Sequence, residues 1–335
     1  MRFLLSIITI VSVAWFSYWF VGSGAAKIGF ETWFQDRRDA GWVAEYSALT
    51  VRGFPYRFDT TFTDPALADP GTGLAWEAPF FQLLTLSYKP NHLIAVWPDA
   101  QLVATPLQKY DVTSTDMRAS LIVAPKTDLA LERLTLTAET LTIAAQDSDN
   151  PTLARAMTLA AEKTPDTDTH TYRLGFAADG FQPSLDWVTL IDPSATLPDQ
   201  LDALSADVTV TFDKPWDISA IERARPQPRT INIRLAEARW GRLALQAAGQ
   251  VTVDDAGTPT GQITIKARNW RDIVELARTS GTLPDAIAGT LEDGLGLLSQ
   301  LAGNPKTLDI PLDFRGGRIW IGPVPLTSAP NLALR

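Results

Sequence analysis

The sequence predicts a mainly β protein with a few helices: an N-terminal transmembrane helix, then a long curved antiparallel sheet or open half-barrel with late capping helices. Three observations carry that prediction. Phe3 to Val21 is an apolar run of about nineteen residues with no ionisable side chain, the length a helix needs to cross the hydrocarbon of a bilayer. Beyond Trp42, apolar residues recur with period two, as in half-buried strands. Near residues 269–301 the spacing becomes helical before a final hairpin. The organisation expected is a membrane anchor or signal-anchor over 1–26, a linking helix over 27–41 and an elongated antiparallel β domain over 42–335.

The opening segment fits two descriptions. Arg2, the apolar run and the small residues Gly22 to Ala26 also make a cleavable secretion signal. Length favours a retained anchor, as does the crowding of Trp15, Phe16, Tyr18, Trp19 and Phe20 at the distal end, where aromatic rings suit a membrane interface. Lys27, Arg37 and Arg38 outnumber Arg2 and so lean against the usual orientation rule, but long following domains translocate largely regardless of loop charge. The expected location is the bacterial inner membrane, single-pass, with the main domain in the periplasm.

Composition describes a folded exported body. Of 335 residues 45% are hydrophobic and 20% charged, enough apolar content to build a core. The absence of cysteine removes disulfides and thiolate metal sites. A net charge of -9 without a basic stripe argues against nucleic acid as a partner.

Along the chain, Lys27 to Asp39 continues as a short helix that Gly41 ends. Its polar face is not dominated by basic residues, so it is expected to be a stalk packing on the domain. Gly53-Phe54-Pro55 marks a strand that is bent or broken, with Phe54 either a ligand-contacting ring or a core aromatic behind the kink. Phe80 to Trp97 forms a hairpin turning over Lys89 to His92, which places His92 in a solvated turn. Leu134, Leu136 and Ala138 alternate with polar residues. Tyr172, Leu174, Phe176 and Ala178 alternate on the return arm of a hairpin joined across Thr164 to Thr169, and Val208, Val210 and Phe212 repeat the pattern. A short helix is expected over Asp217 to Arg225. Val251 and Val253 then face Ile263, Ile265 and Ala267 across a turn-rich connection. Asn269 N-caps a helix from Trp270 to Ser280. A second helix, from about Asp285 to Leu301, sets Ile287, Leu291 and Leu295 on one face. It is either a core helix capping one end of the sheet or a movable lid over an apolar groove. Leu308 to Phe314, the pair Gly316-Gly317 and Ile319 to Ile321 make the closing hairpin.

The apolar segment, Gly53-Phe54-Pro55, the hairpin around Pro90-Asn91-His92 ending at Trp97-Pro98, and the closing Gly316-Gly317-Arg318-Ile319-Trp320-Ile321-Gly322-Pro323-Val324-Pro325-Leu326 together resemble the domain of unknown function 2125 family. That family is known chiefly from alphaproteobacteria. More distantly, an anchor followed by long amphipathic strands, with helices before a final hairpin, is similar to AsmA-like envelope proteins. The remoter likeness implies a curved, open β body with an apolar inside, of the kind associated with lipid movement between membranes. Fold analogy alone does not establish function.

Catalytic motifs are missing: no Walker loop, nucleophile elbow, zinc-protease helix or dinucleotide fingerprint is present. His170 has no second ligand at metal spacing, and Asp254-Asp255 is ordinary turn chemistry. Neither an enzyme activity nor a cofactor is expected. The function expected is non-catalytic binding or passage of a lipid or other amphiphile along an apolar concave β surface. Its candidate groove or lid residues are Phe54, Trp97, Phe176, Phe212, Ile287, Leu291, Leu295 and Trp320. The alternative is an inner-membrane-anchored scaffold or assembly factor that binds envelope protein partners. An envelope hydrolase with two distant carboxylates is the weakest reading.

Overall fold

A computed structural model describes residues 1–165, 170–281, 283, 288–289, 292–296 and 307–334. The protein is mainly β and antiparallel, with one long apolar N-terminal helix and few others. It divides into two compact units, 1–129 with 136–149 and 130–135 with 150–335.

The first unit begins with α1, which runs unbroken from Arg2 to Asp39. The apolar run and the linking helix are therefore one element, ended at Gly41, whose φ of +88° only glycine takes readily. Eleven strands follow: β1 (Val43–Glu45), β2 (Ala48–Arg52), β3 (Arg57–Thr63), β4 (Ala66–Asp69), β5 (Leu74–Glu77), β6 (Phe80–Leu86), β7 (Lys89–Val96), β8 (Ala100–Ala104), β9 (Lys109–Thr115), β10 (Arg118–Val123) and β11 (Leu131–Ala145). Their pairings form one ladder β2-β3-β6-β7-β10 and another β1-β4-β5-β8-β9-β11, with β11 joining through residues 140–145. The chain deals its strands to the two ladders by turns. Both ladders and α1 meet in one core, where Phe34 of α1 packs with Ala44 and Leu67 from one ladder and Leu49, Phe62 and Phe81 from the other.

Two local expectations change here. Gly53 to Tyr56 is a turn between β2 and β3, which pair directly, so the strand is broken and not merely bent. The β6–β7 turn lies at Ser87-Tyr88, and His92 sits inside β7 opposite Ile122, with its Nε2 2.9 Å from Ser120 Oγ. Pro90 misled because proline signals a turn, yet it lies where the β6–β7 register shifts between Thr85 and Leu86, an irregularity at which a strand tolerates proline.

The second unit holds β12 (Thr152–Lys163), β13 (His170–Gln182), α2 (Leu185–Ile191), β14 (Ala203–Phe212), α3 (Ser219–Glu222), β15 (Pro228–Trp240), β16 (Leu243–Val253), β17 (Pro259–Arg268), α4 (Trp270–Thr279), β18 (Thr307–Arg315), β19 (Arg318–Ile321) and β20 (Val324–Ser328). From β12 to β20 each strand pairs with the next, an antiparallel meander. Among the described residues β20 pairs only with β19, so the ladder is open at that edge. Gly316 and Gly317 take positive φ, as the β18–β19 turn requires. β20 is not legible in the sequence, because Pro325 stands inside it, a residue that a strand accommodates at a sheet edge. Asn269 does precede α4, but its side chain caps no helical amide; its φ is +56° and its Nδ2 donates to Arg242 O at 2.5 Å.

Candidate functional site

The register of the second unit sorts its side chains onto two unlike faces. Pairing Leu174 with Val208, Val208 with Ile233, Ile233 with Gly249, Gly249 with Ile263 and Ile263 with Leu312 carries one apolar row across six strands. A second row runs through Phe176, Ala206, Ala236, Ala247, Ile265 and Ile310. All these side chains are half-buried, so the middle of the face still meets solvent. Gly249 and Gly261 lie on it at φ +151° and +143°. A Cβ on Gly249 would stand 2.3 Å from Gln262 O, so no larger residue fits without moving the backbone.

Both ends of the face are closed. At one end Trp270 of α4 is 1% exposed and packs with Ala267, Leu308 and Leu295. Beside it Trp240 donates from Nε1 to Pro198 O at 2.5 Å and stacks with Trp187 of α2. The buried Asp192 carboxylate there accepts from the Thr196 and Leu197 amides at 2.6 and 2.7 Å. At the other end Tyr172, Val210 and Phe212 cluster with Trp216. Burial pushes the Tyr172 phenol above its ordinary pKa, and its oxygen accepts from the Trp216 amide at 3.3 Å. The C-terminal segment straps this end: Leu332 N donates to Gly257 O at 2.8 Å, and Leu334 N donates to Gln227 Oε1 at 2.9 Å.

The opposite face is polar. Arg173 donates from Nε and Nη2 to Asp207 at 2.9 and 2.7 Å, with Arg234 3.5 Å from the same carboxylate. The Arg173 hydrogen bonds hold the Asp207 carboxyl below its usual pKa. Thr171 and Thr211 hydroxyls meet at 2.9 Å, and Gln262 donates to Asp313 at 2.8 Å.

The residues singled out from sequence are distributed over both units. Phe54 and Trp97 belong to the first. Phe54 lies in the β2–β3 turn against Phe16, Trp19 and Phe20 of α1, and Trp97 packs on Phe81. Phe176 and Phe212 share the apolar face of the second unit, Phe212 in its closed end. Leu295 is buried with Trp270 at the opposite end. Trp320 lies under the Arg315 guanidinium, 4.6 Å from its ring centre. Ile287 and Leu291 lie outside the described residues. The candidate set of five aromatic rings and three residues of the late helix left out the aliphatic floor formed by Ile233, Ile263, Ile265 and Ile310; the signal for it was the phase shared by successive strands. Among the described residues no group of three His, Asp or Glu side chains is placed to hold a metal.

Fold and surface together define a class: a β-sheet protein carried behind one long apolar helix, with an open, two-faced antiparallel sheet. Within that class the chain belongs to the bacterial family described as "Uncharacterized protein conserved in bacteria (DUF2125)", matched over residues 19–330. No curated protein and no solved structure matches it.

Proposed function

We propose that this is a non-catalytic protein of the bacterial envelope that binds or passes a lipid or other amphiphile along the apolar face of its second unit, held at the inner membrane by α1 with its β units in the periplasm. The observation that carries the reading is the incompletely buried apolar strip from Leu174 to Leu312, closed at both ends and backed by a polar face. An aliphatic surface of this extent left in water is unfavourable, and covering it with acyl chain recovers about 0.8 kcal/mol per buried methylene. α1 supports the location, since it is long and apolar enough to cross a bilayer and its apolar stretch is almost wholly unburied. The remote likeness to AsmA-like proteins points the same way.

Site-specific photo-crosslinking in cells tests the reading. With p-benzoylphenylalanine at Ile265, on the apolar face, an adduct of lipid mass is expected; at Lys266, the next residue on the opposite face, none is. A protein-sized adduct at Ile265 would favour a scaffold, and the absence of any adduct there would sink both readings.

A further inference from the structure

We infer that the Gly53–Arg57 and Ser87–Tyr88 turns of the first unit are seated in the boundary of the bilayer beside α1, a second membrane contact besides the helix itself. The inference rests on α1 being a retained span. Three side chains of α1 fix where the turns lie along it. Trp15 Nε1 donates to Pro55 O at 3.0 Å, Tyr18 Oη to Ser87 O at 2.5 Å, and Trp19 Nε1 to Arg57 O at 2.8 Å. The apolar run ends at Val21, six residues beyond Trp15, and a helix rises 1.5 Å per residue. The Pro55 carbonyl therefore sits about 9 Å below the end of the run, within the depth of headgroups and the first acyl carbons.

The turns are built for that depth. Irregular backbone is tolerated in lipid only where its polar groups are satisfied by protein. Here the Gly53 carbonyl accepts from the Tyr56 and Arg57 amides, and the Tyr56 carbonyl accepts from the Ser87 amide at 2.9 Å. Those of Pro55, Arg57 and Ser87 take the α1 donors. What the turns present outward is aromatic and cationic. Phe54 is half-exposed beside Phe16 and Phe20, Tyr56 and Tyr88 are each 63% exposed, and Arg52 and Lys89 are exposed next to them. Phenol rings with neighbouring cations fit a boundary of anionic phospholipid.

The chain has no cysteine, so single cysteines can be placed in the full-length protein and labelled with an environment-sensitive fluorophore. After reconstitution into phosphatidylethanolamine–phosphatidylglycerol vesicles carrying a headgroup-proximal spin-labelled lipid, labels at Tyr56→Cys and Tyr88→Cys are expected to be quenched several-fold more than one at Ala40→Cys. Ala40 is exposed and lies nineteen residues past Val21 on the same helix axis. A label at Ile10→Cys, near the middle of the run, reports the span itself when read in matching vesicles whose lipid carries the spin label deep in the acyl chain. Quenching at Ile10 without quenching at Tyr56 and Tyr88 would overturn the inference and leave the span standing. No quenching at Ile10 would remove the span and the inference together. Tyr56 and Tyr88 are surface side chains, so replacing them leaves the fold in place.

Discussion

Asp207 shows how little of the polar face is committed to stability. Its carboxylate is held below the ordinary range by the Arg173 hydrogen bonds. A depressed carboxylate stabilises the fold fully above its unfolded pKa, about 3.9, and the effect is lost as pH falls through the lower folded value. Asp207→Asn is therefore expected to lower the melting temperature slightly at pH 7, less in high salt because the pair is exposed, and to match the wild type at strongly acid pH. A gap that persists in acid would mean that Asp207 acts through packing. Residue identity predicted this face well, since Thr171, Arg173, Thr209 and Thr211 alternate visibly with apolar neighbours. Gly249 was less legible. A glycine in a strand pattern signals a bulge or close approach, but the Gln262 carbonyl that excludes a side chain there belongs to the next strand, which no local pattern names.

At the scale of elements, α1 is the most legible part and its packing the least. Apolar length and helix-forming residues on either side of Lys27 foretold helix throughout, whereas the docking of its aromatic stripe on β3 and the two turns joins residues about forty to seventy positions apart. Gly22 marks the closest approach. A Cβ there would stand 2.7 Å from the Phe58 ring edge, while one on Gly24 would meet nothing within 4 Å. Gly22→Leu is expected to push α1 off β3 and destabilise the first unit by about 1–3 kcal/mol, with Gly24→Leu near neutral; melting curves of the two variants in the same detergent make the comparison. Equal melting temperatures would mean that α1 is not a structural part of the first unit. The late helices divide similarly. Trp270 to Thr279 was readable from its boundaries, but α2 was not, because its seven residues are too few for a periodic signal.

For the whole molecule, alternation gave the strands of the second unit and their faces, while the sorting of the first unit into two ladders depends on which hairpin pairs with which and leaves no mark in local periodicity. Alternation also leaves open whether an apolar face is a filled core or an open surface, and that difference decides function. The face is filled at its ends and only partly buried in its middle, so aspartate at two positions of the same face, in different rows, should behave oppositely. Val251, 3% exposed, has no water to solvate a charge, and Val251→Asp is expected to cost several kcal/mol and prevent folding. Ile233, half-buried in the open stretch, can turn a carboxylate to solvent, so Ile233→Asp should fold with a modest loss of melting temperature. If the surface carries an acyl chain, that variant should still lose the lipid adduct at Ile265, because a charge on the floor repels the chain without removing the sheet. Collapse of Ile233→Asp would mean that the row is a closed core; a folded variant with undiminished adduct would place the lipid elsewhere.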